Sequence, residues 1–222
     1  MTGSDAEETV RAAPVLSLVV PVYNEAASIG AFVARASAAL DALALPWEIV
    51  FVDDGSRDAS LVAMLAARER DPRISVVELS RNFGKEIALT AGLDHARGDA
   101  VIPIDADLQH PPELIGKLVE GWRAGNDMVV AVRRNPPHDS AVRKLMSRLF
   151  YRIFRRVAAI ELPPGAGDYR LLSAPVVRAL RNMPERSRFM KGLYAWVGFR
   201  YATVPYDVDP RASGRSSFGV GS

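Results

Sequence analysis

The chain has 222 residues, of which 49% are hydrophobic and 24% charged, and its formal net charge is only +2. This length suits one large domain, and the absence of cysteine excludes disulfides and thiolate metal sites. Residues 1–14 lack the basic-then-apolar order of a signal peptide, and no apolar run reaches the roughly 20 residues of a membrane-spanning helix. We therefore expect a cytoplasmic protein with a disordered tail over residues 1–14.

The first half of the chain alternates between short apolar runs and longer amphipathic stretches. The apolar runs predict strands at 15–22, 48–52, 74–79, 100–104 and 127–132. The stretches between them predict helices at 26–43, 58–70, 85–96 and 111–124, the second with Asp58 as its N-cap. Strands that alternate with helices indicate an α/β fold with a mainly parallel sheet.

Beyond residue 133 the alternation weakens. The pattern there predicts a basic amphipathic helix at 142–157, a strand at 168–173, helical pieces over 175–197 and an extended segment at 199–208. The Gly- and Ser-rich residues 209–222 are predicted to be flexible. The folded elements thus fall into one domain over residues 15–208.

Three polar clusters follow predicted strands, at residues 23–25, 53–56 and 105–109. In parallel sheets the carboxyl ends of the strands meet at one edge, and ligands bind there. Taken alone, residues 53–56 are also typical of a turn followed by a helix cap, because Asp, Gly and Ser favour turns. Their common position after strands favours a shared binding site.

The third cluster contains Asp105 and Asp107 with one residue between them, directly after an apolar run. Two carboxylates at this spacing can hold one hard cation, and Mg²⁺ and Mn²⁺ prefer oxygen ligands and often share them with substrate phosphates. The alternative is a pair of solvated loop acids or a helix cap. In this context we favour metal-assisted chemistry on a diphosphate.

The segment over residues 133–160 is strongly basic and amphipathic. Its cations, set against the single acid Asp139, are Arg133, Arg134, Arg143, Lys144, Arg148, Arg152, Arg155 and Arg156. Such a face suits a membrane interface with anionic lipids, although a solvated basic face over an ordinary core stripe is the plainer alternative. No aromatic-basic module of a nucleic-acid-binding protein is visible, so we expect no nucleic acid partner.

Five ordered motifs, at residues 19–25, 52–56, 80–86, 105–109 and 167–172, resemble those of family 2 glycosyltransferases. The motifs at 80–86 and 167–172 are similar to the polyprenyl-phosphate group, which contains bactoprenol glucosyltransferases and dolichyl-phosphate mannose synthases. The resemblance spans roughly residues 15–218. It implies an A-type, Rossmann-like nucleotide-sugar fold and sugar transfer to a lipid phosphate.

The resemblance also implies roles for individual residues. For the nucleotide sugar it implies Pro21, Tyr23, Glu25 and Asp53, supported by Asp54, with Lys85 at the donor phosphates. For a Mg²⁺ or Mn²⁺ ion it implies Asp105, Asp107 and Gln109. For the acceptor phosphate it implies Arg143 and Ser147, and we add Asp168, Arg211 and Arg215, with Arg133 as a further candidate at a strand end.

The expected reaction needs no general base. A phosphate monoester is largely dianionic at pH 7, so the enzyme must position it, shield anionic repulsion and stabilise the leaving nucleoside diphosphate. Direct displacement would invert the anomeric centre. We expect transfer of glucose from UDP-glucose to undecaprenyl or decaprenyl phosphate at the inner face of the cytoplasmic membrane, with GDP-mannose as the alternative donor.

The sequence departs from the family pattern in two ways, and these departures leave alternative functions open. Ser217 stands where the closing motif usually has lysine, and bacterial members usually continue into two membrane helices that this sequence lacks. Both features suit a non-catalytic subunit that needs a membrane-protein partner. A homo-oligomer is a separate alternative for the partner. A nucleotidyltransferase would instead carry a Gly-rich basic loop after the first strand, which residues 21–25 do not form.

The histidines and the aromatic segment have plainer interpretations. His95, His110 and His138 show no metal-ligand spacing, so surface or helix-end positions are expected for them. Residues 189–199 are rich in aromatics, and core packing and an interfacial role are about equally favoured there.

Overall fold

The computed structural model describes residues 15–134, 166–183, 185 and 190–207. The strands of that part are β1 Leu16–Val22, β2 Trp47–Asp53, β3 Ile74–Glu78, β4 Ala100–Pro103, β5 Met128–Arg133, β6 Ala166–Ser173 and β7 Tyr201–Tyr206. The helices are α1 Ala26–Asp41, α2 Ser60–Arg70, α3 Lys85–His95, α4 Ile115–Arg123, α5 Ala174–Arg181 and α6 Met190–Trp196, with a 3₁₀ turn at Pro112–Leu114.

The described strands form one seven-stranded sheet in the order β3-β2-β1-β4-β6-β5-β7. Strands β3, β2, β1 and β4 pair in parallel, and so do β5 and β7. Strand β6 is antiparallel to both of its neighbours, β4 and β5. The expectation of an α/β fold with a mainly parallel sheet is therefore confirmed.

Helices cover both faces of the sheet. The central strands are therefore buried on both sides. Alternate β1 residues Leu18 and Val20 pack with Phe32 and Leu40 of α1 in one core cluster. Val19, between them, faces the second cluster, which contains residues of α3, α5 and α6. Gly92 permits a close approach there, since a Cβ at that position would lie 2.2 Å from a Val19 methyl carbon.

The antiparallel strand β6 has a functional consequence. Its first residues lie at the same edge of the sheet as the last residues of β4, because the two strands run in opposite directions. The β4–β6 register pairs Ala100 with Ser173 and Val101 with Leu172. At that edge Asp105, just after β4, and Asp168, near the start of β6, both contact the Lys85 ammonium.

Most of the predicted elements are present with small shifts in their ends, but the expected N-cap is wrong. Helix α2 begins at Ser60 with Ala59 as its N-cap. The Asp58 carboxylate instead accepts the Ser60 N–H at 2.9 Å and the N–H of Ala26, the first residue of α1, at 3.2 Å. Asp58 thus joins the starts of two helices, which sequence spacing alone does not reveal.

Several predicted features lie outside the described residues. They are the tail over 1–14, residues 135–160 of the basic segment and the segment over 209–222. Within the part of the chain that is described, no helix is both long and apolar enough to cross a bilayer.

Candidate active site

The three polar clusters predicted from the sequence meet at the carboxyl edge of the sheet. Strand β1 pairs with β2 on one side and β4 on the other, so the strand order reverses at β1. In open α/β sheets, such a reversal opens a crevice at the carboxyl ends of the strands. The clusters after β1, β2 and β4 border this crevice.

The loops after β1 and β2 are tied together by hydrogen bonds between side chains and backbone. Asn24 has a positive φ of 54°, its N–H donates to Ser56 Oγ at 3.0 Å, and its Oδ1 accepts the Arg57 N–H at 2.8 Å. The Glu25 N–H donates to Ser60 Oγ at 2.8 Å. The two loops therefore form one ordered unit around Tyr23 and Glu25.

Asp53 and Asp54 are both buried and have different partners. The Asp53 carboxylate accepts the Ser56 N–H at 3.3 Å, across its own turn. The Asp54 carboxylate accepts the N–H groups of Phe83 and Gly84, at 2.7 and 2.9 Å. Burial raises the pKa of Asp54, although those two hydrogen bonds oppose the rise. Asp54 thus fixes the loop before α3.

Gly55 completes that attachment. It has a φ of 68°, a left-handed conformation that favours glycine. A Cβ at this position would lie 2.5 Å from the Arg81 carbonyl carbon, so a larger residue would push the 80–84 loop away. Glycine is therefore required here both by conformation and by close packing.

Lys85 lies between two carboxylates at the crevice. Its Nζ is 2.7 and 2.9 Å from the two Asp105 oxygens and 3.2 Å from Asp168 Oδ2. Burial alone would lower the pKa of Lys85, but the two carboxylates outweigh burial and raise it. The ammonium therefore stays charged and joins α3 to the ends of β4 and β6.

Asp107 lies on a tight turn that follows β4. Leu108 has a φ of 60°, and Asp107 Oδ1 accepts the Gln109 N–H at 3.0 Å. This local bond fixes the Asp107 carboxylate relative to the backbone of the turn. The turn therefore keeps Asp107 and Gln109 close together at the crevice.

The expectation of a surface or helix-end position is wrong for His110. Its side chain is 13% exposed, with Nδ1 3.6 Å from Asp105 Oδ2. The imidazole packs against the rings of Tyr169 and Tyr206, with centroid separations of 5.2 and 6.5 Å. Burial lowers the pKa of His110 despite the nearby Asp105 charge. His95, by contrast, lies at the end of α3 as expected, with Nδ1 2.8 Å from the Ala91 carbonyl oxygen.

Arg133 ends β5 at the same edge and is held by the neighbouring strand. Its Nε–H donates to the Tyr206 hydroxyl at 3.2 Å, and the two residues are paired in the β5–β7 register. A bulge between Val130 and Val132 interrupts the pairing of β5 with β6 just before this point. Arg133 is thus displayed at the strand end, as its position in the sequence predicts.

Two contacts of helix α6 support the site on the side away from the crevice. The Glu86 carboxylate accepts the N–H of Met190, the first residue of α6, at 3.1 Å. The Arg170 guanidinium lies 4.0 Å from the ring centroid of Tyr194 on the same helix and donates to the Gly167 carbonyl oxygen. Helix α6 is therefore attached to the chain neighbours of Lys85 and Asp168.

The oxygen donors at this edge fit a divalent cation that also takes ligands from its substrate. Asp105, Asp107 and Gln109 offer the oxygen atoms that Mg²⁺ and Mn²⁺ prefer. Within the described residues, no group of three or more His, Cys, Asp or Glu side chains could hold a metal ion. A cation here would need ligands from substrate or water, and Lys85 would have to release Asp105.

Most of the predicted site residues share the carboxyl edge. Those that the structure places there are Pro21, Tyr23, Glu25, Asp53, Asp54, Lys85, Asp105, Asp107, Gln109, Arg133 and Asp168. Pro21 lies within β1 rather than in a loop, paired with Val52. Arg143, Ser147, Arg211 and Arg215 lie outside the described residues.

Sequence reasoning missed several residues that shape the site. They are His110, Tyr169, Tyr206, Glu86, Arg170 and Tyr194. Their contacts join residues far apart in the chain, so no local spacing indicates them. The available signals were the position of Glu86 inside the motif at 80–86 and that of Tyr169 and Arg170 inside the motif at 167–172.

Acidic side chains gathered at a strand-order reversal are typical of α/β domains that bind a ligand at the carboxyl edge of the sheet. Residues 17–181 match the description "Glycosyl transferase family 2". The chain belongs to this family, which confirms the family resemblance inferred from the motifs.

Curated relatives match over most of the chain. The chain is 47% identical over 203 residues to the glycosyltransferase sll0501 of Synechocystis sp. and 42% identical over 203 residues to the bactoprenol glucosyl transferase of Shigella phage SfV. Each alignment covers 91% of the chain, but only 64% and 66% of the respective relatives. The chain therefore spans slightly less than two thirds of these proteins.

Solved structures agree with the fold. The mannosyltransferase PcManGT from Pyrobaculum calidifontis, in complex with GDP-Man and Mn²⁺, superimposes with a TM-score of 0.58 at 26% identity, covering 87% of this chain and 55% of that one. Glucosyl-3-phosphoglycerate synthase from Mycobacterium tuberculosis gives 0.64 at 22% identity, covering 88% and 69%. At that identity the second match supports the fold alone. The predicted A-type nucleotide-sugar fold is thus confirmed.

Proposed function

We propose that this chain is the catalytic domain of an inverting, metal-dependent glycosyltransferase that moves glucose from UDP-glucose to a polyprenyl phosphate. The observation that carries the proposal is the meeting of Asp53, Asp105 and Asp107 at one sheet edge in a family 2 chain. The lipid acceptor is supported by 42% identity to a bactoprenol glucosyl transferase.

The donor base and ribose bind at the loops after β1 and β2. Pro21, Tyr23, Glu25 and Asp53 contact the nucleoside, and Asp54 supports them by fixing the loop over residues 80–84. This assignment is supported by the hydrogen bonds that already order both loops without a ligand. A preordered pocket loses less conformational entropy when it binds its ligand.

Asp105, Asp107 and Gln109 hold Mg²⁺ or Mn²⁺ together with the donor diphosphate. When bound, such a metal would neutralise charge on the leaving nucleoside diphosphate. Lys85 then contacts a donor phosphate, because its ammonium is charged and within reach of Asp105. Asp168 remains near Lys85 and orients it.

The acceptor phosphate binds at the β5 and β6 side of the crevice. Arg133 supplies positive charge at the end of β5, and we assign Arg143, Ser147, Arg211 and Arg215 to the same anion from the sequence. No general base is assigned, because the acceptor is already an anion at pH 7. Direct displacement, in which an acceptor phosphate oxygen bonds to the anomeric carbon and the nucleoside diphosphate leaves, inverts the anomeric centre.

The basic segment over residues 133–160 brings the domain to the inner membrane face, where the lipid acceptor is found. Each Lys or Arg near an anionic surface contributes about 1 kcal/mol of attraction. Replacing Arg148 and Arg152 by glutamate should therefore weaken co-sedimentation with anionic vesicles. Unchanged co-sedimentation would contradict the membrane contact.

The function is tested by transfer of radiolabelled sugar to a polyprenyl phosphate in detergent. UDP-glucose and GDP-mannose are compared in parallel, each with Mg²⁺ or with a chelator. We expect labelled lipid from UDP-glucose only when metal is present. Product from GDP-mannose alone would favour the second candidate, which is supported by the 26% identity to a mannosyltransferase solved with GDP-Man.

The main alternative hypothesis is that the chain is a non-catalytic subunit. It predicts nucleotide binding without product from either donor, and turnover that appears only after a membrane partner is added. Turnover by the isolated chain would exclude it.

A further inference from the structure

We infer that Tyr206 is a positioning residue that holds the Arg133 guanidinium at the acceptor side of the crevice. The hydrogen bond between Tyr206 and Arg133 is observed in the structure, whereas its consequence for the acceptor phosphate rests on the proposed function. Neither sequence motif nor family resemblance points to Tyr206. Its assignment comes from the pairing of two strands that lie 73 positions apart.

The contact joins the ends of two parallel strands. Arg133 and Tyr206 are opposite each other in the β5–β7 register, and the Arg134 N–H donates to the Tyr206 carbonyl oxygen at 3.0 Å. The Arg133 Nε–H then donates to the Tyr206 hydroxyl at 3.2 Å. Backbone and side chain therefore fix the same pair of residues.

The Tyr206 ring is held in turn by packing. Tyr206 is 7% exposed, and its ring meets the Tyr169 ring edge to face at a centroid distance of 6.3 Å. Tyr169 is fixed at its far end, where its hydroxyl donates to the Pro111 carbonyl oxygen at 2.8 Å. A hydroxyl on a packed ring is a rigid acceptor, since only two side-chain torsions precede it.

The same rings connect Arg133 to the donor side. His110 packs against both tyrosines, and its Nδ1 lies 3.6 Å from Asp105 Oδ2. Three rings therefore fill the space between the acid after β4 and the arginine that ends β5. This ring cluster (His110, Tyr169 and Tyr206) therefore lies between Asp105 on the donor side and Arg133 on the acceptor side.

A tyrosine hydroxyl suits this task better than a carboxylate. A carboxylate would orient the guanidinium but would also offset its charge. The neutral hydroxyl accepts one N–H and leaves the full positive charge for an anion. Because Tyr206 engages Nε, the two terminal nitrogens, which have no other partner among the described residues, can meet a phosphate as a pair.

The structural part is tested by NMR of the protein labelled with ¹⁵N-arginine. The Arg133 Nε–Hε signal is assigned by its absence in Arg133→Lys. We expect Tyr206→Phe, which keeps the ring, to shift this signal and speed its exchange with water. Tyr201→Phe is the matched control, because Tyr201 begins the same strand and is 45% exposed. An unchanged signal in Tyr206→Phe would overturn the inference.

The functional part is tested by titrating a short-chain prenyl phosphate while following the Arg133 signal. Wild type and Tyr201→Phe should bind alike, and Tyr206→Phe about tenfold more weakly, as expected when a flexible side chain must be ordered by the ligand. In transfer assays the KM for polyprenyl phosphate should rise by the same factor while the donor KM stays constant. Equal rises in both KM values would instead indicate a merely structural role.

A double-variant comparison distinguishes loss of the Tyr206–Arg133 contact from a general loss of structure. In an Arg133→Gln background, Tyr206→Phe should add little, because the group it orients is gone. Additive losses would overturn the inference. If wild type transfers no sugar, the proposed function fails, and the prenyl phosphate titration still decides whether Tyr206 prepares Arg133 for an anion.

Discussion

The two sides of the crevice are built differently. On the donor side, around β1 and β2, polar side chains bind backbone N–H groups of neighbouring loops, as Asp54 does with Phe83 and Gly84. On the metal side, at the ends of β4 and β6 that face each other, charged side chains pair with each other, as Lys85 does with Asp105 and Asp168. The donor side is thus preordered by the fold, whereas the metal side holds charges that ligands can exchange.

This difference suggests that the two sides of the crevice have different functions. Bonds to backbone fix a pocket of constant shape, which suits the common part of a nucleotide donor. Ion pairs between side chains break and re-form at lower cost, which suits a step in which a metal and two anions arrive. Four variants test the division.

The largest effect is expected from Asp107→Ala, at the junction of the two sides. Loss of this carboxylate should reduce transfer by at least about 100-fold and weaken Mn²⁺ binding, because it removes charge where the metal and the diphosphate meet. Steady-state kinetics and electron paramagnetic resonance of Mn²⁺ measure the two effects. Glu69→Ala, an exposed acid on α2, is the control, and wild-type rates in Asp107→Ala would refute the metal assignment.

The donor side is tested by Asp54→Ala. The change leaves the Phe83 and Gly84 N–H groups without their acceptor, so we expect a loss of about 2 kcal/mol in the free energy of unfolding. The donor Kd should rise while Mn²⁺ binding without donor is unchanged. Denaturant unfolding and donor titration measure the two quantities. A stability loss without any change in donor Kd would show that the 80–84 loop does not shape the donor pocket.

The metal side is tested by Lys85→Met. Because the ammonium neutralises Asp105 and Asp168, its removal should tighten Mn²⁺ binding about tenfold in the absence of donor, even though transfer falls. Lys117→Met, on the exposed face of α4, should change neither quantity. Weaker Mn²⁺ binding in Lys85→Met would contradict an exchange between lysine and metal at Asp105.

The smallest effect is expected at the exposed pair of Arg35 and Glu113, which joins α1 to the 3₁₀ turn after the acidic motif. The two hydrogen bonds are each 2.9 Å long, but both side chains are largely in water, so Glu113→Gln should cost no more than about 0.5 kcal/mol. The pKa of Glu113 is lowered by its hydrogen bonds with Arg35. The small stabilisation is therefore present above the ordinary glutamate pKa and is lost as pH falls through the lowered one.

That pH dependence is measured by denaturant unfolding of wild type and Glu113→Gln across the acidic range. The difference between the two proteins should be largest near neutral pH and vanish in acid. A difference that grew in acid would contradict the assigned ion pair. A value near 2 kcal/mol would mean that surface pairs matter as much as the buried bonds of Asp54.

The local sequence pattern was enough to predict the strands and the polar residues of the donor side. The apolar runs at β1, β2 and β4 and the polar residues directly after them are contiguous in sequence, so strand, edge and cluster could be predicted together. Family 2 membership followed from the same motifs. The exception is Asp58, whose carboxylate reaches Ala26 as well as its own helix, a contact between segments that spacing does not encode.

What the sequence determined by itself is the alternation of strands and helices, the family and the identity of the acids at the sheet edge, because these depend on hydrophobic periodicity and on short motifs. Tertiary structure alone decided that β6 runs antiparallel, which brings Asp168 to Lys85, and that β7 pairs with β5, which brings Tyr206 to Arg133. It also buried His110 between two tyrosines. The physical reason is that strand order and direction arise from packing between distant segments, which no local pattern of residues specifies.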